Sequence, residues 1–135
     1  MSTTADELEI AEDASDPEVA RYEKAFLATR RTLDECIRNL MIKEAIEENP
    51  EVRSELVEKR SDLETQRTNL IRANVAFHAM QVTMTPPSVD LVNDLQALAT
   101  TAVALTTGKT TAAAIVRLAT SALNDFAQIQ NIGAT

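Results

Sequence analysis

Gly108-Lys109-Thr110 is the string in this chain that comes nearest to a chemical motif. A phosphate-cradling loop needs another glycine five residues before the Gly-Lys-Thr, so that backbone N–H groups can wrap the anion after a β-strand. That position holds Val103, inside an apolar helical stripe, and no strand pattern precedes it. The string therefore reads as a helix stop, with Gly108 expected in the left-handed backbone that closes many helices. His78 is the only histidine and Cys36 the only cysteine. One of each makes neither a disulfide nor a recognisable zinc site. A carboxylate-bridged di-iron bundle needs Glu-x-x-His on two helices, and the residue three before His78 is Val75. No calcium-loop spacing occurs among the carboxylates. No serine or cysteine is spaced to His78 as a nucleophile. His78 is expected to bond a neighbour at the edge of a helix stripe, and Cys36 to act as a small buried hydrophobe. The expectation is a non-enzymatic protein with no catalytic residue, no cofactor and no metal.

What positions these residues is helix. The chain has 135 residues, one domain by length, with 2 Gly, 4 Pro and 3% aromatics. So few turn formers exclude an all-β fold. Asp16-Pro17-Glu18 and Asn49-Pro50-Glu51 each give a cap, a proline at the first helical position and an acid beside the positive end of the dipole. They predict helices over about 17–48 and 51–84, joined by so short a bend that they must lie antiparallel. Leu56, Leu63, Leu70, Phe77 and Met84 recur every seven residues along the second, a coiled-coil spacing. That helix is expected to be the one against which the others pack. On the first helix Val19, Tyr22, Phe26, Leu33, Ile37 and Leu40 share a face.

Pro86-Pro87 stops the second helix, and Ser88 caps a third over about 89–107. A fourth is expected over about 111–130, with Ile115, Leu118, Ala119, Ala122, Phe126 and Ile129 inward. The fold class predicted is all-α and four-helix, bundle-like: a long antiparallel hairpin with a shorter Ala/Thr-rich hairpin packed at its base. The short pair is expected near residues 19–30 and 70–84, on a second stripe of Ile71, Val75 and Val82. Exposed Glu55–Lys59 and Glu64–Arg67 pairs are expected along the second helix.

The net charge is −8, and Asp6, Glu7, Glu9, Glu12, Asp13 and Asp16 stand in residues 1–16 with no base among them. Residues 1–15 are expected to be a disordered acidic tail ahead of a single helical domain at 16–135. Acid on this scale repels nucleic acid and anionic lipid. The first residues lack the basic and apolar regions of a secretory leader, so a cytoplasmic protein is expected, with a non-Sec route of secretion as the alternative.

Two short helices cover only part of a long hairpin. Leu40, Met41, Ile42, Ile46, Val52 and Val57 near the bend are left as candidate interface residues, since large exposed apolar surface marks contact sites. The function expected is a protein–protein interaction module (adaptor, chaperone or scaffold) that recognises helices at this tip, with another protein or a second copy as partner. The alternative is a membrane-active or secreted helical protein that inserts its charge-poor hairpin at 95–116. Neither arm of that hairpin reaches the ~20 apolar residues of a spanning helix.

Overall fold

The computed structural model describes residues 17–79 and 85–130. The expected acidic tail, the Asp16 cap, Val82 and Met84 lie outside these residues. Four helices make up the described chain: α1 (Pro17–Ile46), α2 (Pro50–His78), α3 (Val89–Val103) and α4 (Ala112–Gln130). There is no strand among the described residues, and the fold is all-α and bundle-like.

Local chemistry sets the starts. Asn49 is extended, and its Oδ1 accepts from the backbone N–H groups of Glu51 and Val52. Ser88 Oγ accepts from Leu91 N, and Thr111 Oγ1 from Ala114 N. Each cap satisfies a backbone donor that a helix start leaves open. The stops come earlier than the patterns predict. α2 ends at His78, with Ala79 as its cap, not near residue 84, and α3 ends at Val103, not near 107. Gly108 is not the helix stop. It lies five residues past α3, its backbone is not left-handed, and a Cβ there would meet only open space. α3 ends instead where Leu105-Thr106-Thr107 turns toward α1.

The helix against which the others pack is α1, not α2. α1 touches all three other helices, α3 and α4 touch each other, and α2 meets α4 only lightly and does not reach α3. Two buried stripes explain this. Tyr22, Phe26, Leu33, Ile37 and Leu40 form one. Ala25, Ala28, Thr32, Cys36 and Asn39 form another, turned about 90° from the first at 3.6 residues per turn. The second stripe is small and partly polar, so counting large apolar residues misses it. Its threonine is satisfied locally, as is Thr29 between the stripes. Thr29 Oγ1 donates to Ala25 O at 2.8 Å and Thr32 Oγ1 to Ala28 O at 3.0 Å, the bond a helix offers a buried hydroxyl.

α2 buries one seam only, Leu56, Leu63 and Leu70, with Phe77 half-buried below them. Its antiparallel register against α1 is tied by Arg67 Nη1 to Asp34 Oδ1 at 2.9 Å, by Tyr22 Oη donating to Asn74 Oδ1 at 3.1 Å, and by Glu23 beside His78 Nε2. The short hairpin does not use the expected stripe of α2. Ile71 is only half-buried and Val75 is 62% exposed. It docks on α1 along most of that helix. Arg21 Nε donates to Pro87 O at 2.8 Å at the base, Tyr22 packs on Phe126 with ring centroids 6.0 Å apart, and Thr107 donates to Asn39 Oδ1 near the other end. α3 thus runs parallel to α1, and α4 antiparallel to it.

Candidate functional site

Six residues were expected at the tip, and the structure divides them. Leu40 is fully buried in the core and cannot be a docking anchor. It continues the α2-facing stripe of α1 that begins at Tyr22, so its seven-residue spacing from Leu33 marks it as core. Met41, Ile42, Ile46, Val52 and Val57 are exposed, Ile46 at 69%. They do not form one patch. By helical phase, Val52 and Val57 fall on opposite flanks of the α2 seam, and Ile42 and Ile46 on the side of α1 turned away from α2.

Ile46 has a particular place. Ala25, Thr32 and Asn39 are fully buried beneath the short hairpin, and Ile46 is the next residue in that seven-residue series. Its exposure has a geometric cause. The α3–α4 connection turns back at Asn39, where Thr107 is bonded, so the covering layer stops one heptad short. Asn39 is itself buried, and its Nδ2 donates to Glu35 O at 2.8 Å. The bend is held firmly. Arg53 donates to Glu47 O from Nε at 2.9 Å, and Glu47 Oε2 accepts from Asn49 N at 3.1 Å. Just below, Arg60 bridges Glu44 on α1 and Glu64 on α2, with Nη2–Glu44 Oε1 and Nη1–Glu64 Oε1 each 3.0 Å. The expected Glu64–Arg67 and Glu55–Lys59 pairs do not form. Glu64 takes Arg60 and Arg67 takes Asp34, because both arginines lie beside the α1 seam.

Cys36 lies in the core of α1, and His78 lies against Glu23 at the end of α2. Burial, then the neighbouring Glu35 charge, pushes the Cys36 thiol up to about 12, so it stays protonated and a poor nucleophile. Burial, then Glu23, pushes the Tyr22 hydroxyl well above its ordinary value. No group of three or more His, Cys, Asp or Glu able to hold a metal occurs among the described residues.

Sequence reading missed two features. One is the carboxylate pair Asp94 on α3 and Asp125 on α4. Partial burial, then the hydrogen bond and charge of Asp94, raises Asp125 to about 6. A carboxyl group raised in the fold stabilises it below its unfolded value of about 4, and that contribution is lost as pH rises through about 6. Asp94→Asn is therefore expected to stabilise the protein by about 0.5 kcal/mol at pH 7 and above, the scale of a solvent-screened pair. The gain should shrink as pH falls through 6, as read by thermal melts across that range. A gain independent of pH would contradict it. The other feature is a 550 Å³ cleft between α2 and α4, with Leu63, Val116, Leu123 and Ala127 among its lining. The seven-residue step from Val116 to Leu123 was its only trace in the sequence.

No family model, curated protein or solved structure matches this chain.

Proposed function

We propose that the protein is a non-enzymatic helical interaction module, an adaptor, chaperone or scaffold, that acts by helix–helix recognition at its bend. One observation carries this reading. The stripe Ala25–Thr32–Asn39 is sealed by the short hairpin, and its next member, Ile46, is left open with Ile42 beside it. A partner helix laid end-on beyond the α3–α4 connection would extend the covering layer by a turn or two. Met41, Val52 and Val57 stand around the same bend as secondary contacts.

The alternative reading, insertion of the 95–116 segment into membranes, is less well supported. Leu95, Ala102 and Ile115 from that segment are fully buried, so insertion would have to open the core. No helix among the described residues is long and apolar enough to cross a membrane.

The test is Ile42→Glu/Ile46→Glu, two changes at exposed positions that leave the core untouched. Light scattering reads self-association, and pull-down with the wild-type and variant chains as bait reads hetero-association. The expected result is loss of one or more specific complexes, with helicity unchanged by circular dichroism. Identical association by both chains would remove the tip as an interface.

A further inference from the structure

We infer that the cleft between α2 and α4 is a docking groove for a basic amphipathic helix of a partner protein, a surface separate from the bend and independent of the reading given for it.

The cleft exists because α2 is fixed to α1 along one seam and meets α4 only lightly. Its α4 wall is a face without charge. Ala112, Val116, Thr120, Leu123 and Ala127 recur at three- and four-residue spacing, beside the buried stripe Ile115, Ala119, Ala122, Phe126 and Ile129. From Val116 to Ala127 this face spans ~16 Å, about three helical turns. Between the two helix flanks Leu63, Val116, Leu123 and Ala127 make an apolar strip edged by Gln66, Thr120 and Asn124, the setting in which an amphipathic helix docks, by anchors at i, i+3 or i+4, and i+7.

Charge selects the occupant. On α2, Glu58 and Asp62 are four residues apart on the outer flank of the cleft, and Glu55, one turn nearer the bend, continues their ridge. All three are exposed, and none is ion-paired with a described residue. Asp62 lines the cleft directly, as does Lys59, the one base of α2 that does so. A ridge of three carboxylates against one lysine is complementary to a helix with Lys or Arg along one edge of its apolar face. The same sign disfavours the other candidates. A second copy would bring an identical acidic ridge, and residues 1–16 of this chain carry six carboxylates and no base. Nucleic acid and anionic membrane are repelled alike.

The test is fluorescence anisotropy on the full chain with two labelled amphipathic peptides of the same heptad pattern, one of Leu and Lys, the other of Leu and Glu. The Leu/Lys peptide is expected to bind and to weaken as salt is raised, and the Leu/Glu peptide not to bind. Two variants at exposed positions locate the site. Thr120→Trp/Ala127→Trp fills the cleft without changing charge, and Glu55→Lys/Asp62→Lys reverses the ridge. Each should weaken Leu/Lys binding by about tenfold or more, with helicity unchanged. Ile42→Glu/Ile46→Glu should not weaken it. Equal binding of both peptides, no binding of either, or wild-type affinity in the filled-cleft variant would each overturn the inference. Loss of binding in the bend variant alone would overturn it too, while leaving the function proposed for the bend in place.

Discussion

Leu33→Ala is expected to destabilise the protein by about 3 kcal/mol, the usual cost of deleting a fully buried leucine side chain, and to lower the melting temperature by about 10 °C. Leu33 is fully buried at the middle of α1, on the stripe that faces α2. A cavity there opens the α1–α2 seam. Leu95→Ala gives the contrast. Leu95 is also fully buried, but on α3, which packs on α1 and α4 and does not reach α2. Hydrogen exchange should separate the two. In Leu33→Ala the amides of α2 are expected to lose protection first, whereas Leu95→Ala should loosen α1, α3 and α4 together. If Leu33→Ala leaves α2 protected, or Leu95→Ala releases α2 first, the two faces of α1 do not hold separate neighbours.

Thr107→Val is expected to cost about 2 kcal/mol, although it alters a connection between helices. The hydroxyl of Thr107 donates to Asn39 Oδ1, and Asn39 is fully buried. Valine keeps the shape and removes the donor, leaving the Asn39 carbonyl desolvated without it. Asn39→Ala removes both that acceptor and the bond to Glu35 O, and should cost at least as much. The two effects belong to one interaction. The double variant Asn39→Ala/Thr107→Val should therefore be more stable than the sum of the single changes requires, a coupling that urea unfolding of all four chains measures. Additive effects, or single changes within about 0.5 kcal/mol of wild type, the range of ordinary surface substitutions, would mean the bond does not hold the hairpin to α1.

The features legible in the sequence were those with a large or rigid residue as signal. Pro50 and Asn49 marked the bend, Ser88 marked the start of α3, and Leu56, Leu63 and Leu70 marked the α2 seam. The position of α1 at the centre was not legible, because its second buried face is built from Ala25, Ala28, Thr32, Cys36 and Asn39. Cys36 alone of these is legible as core; Ala, Thr and Asn occur on surfaces as well, and here they are core because another helix approaches closely. The small side chains make that approach possible, and Thr32 completes its hydrogen bonding within its own helix. The same gap explains the misplaced short hairpin. Ile71 and Val75 looked like its natural seat, but Val75 faces water. At the bend, Leu40 is a chain neighbour of exposed Met41 and Ile42, but its phase along α1 places it with Leu33. Gly108 has the residue type of a helix stop, but nothing in its surroundings requires a glycine.

Both ends of the described chain lie at the base. Tyr22, near the start of α1, rests on Phe126, near the end of α4, and Ile129 O accepts from Thr85 N at 2.8 Å. A short linker could join residue 130 to residue 17, with the chain reopened at the exposed Gly108, to give a circularly permuted protein with every helix in place. The order in which the helices are strung together is thus separable from how they nest.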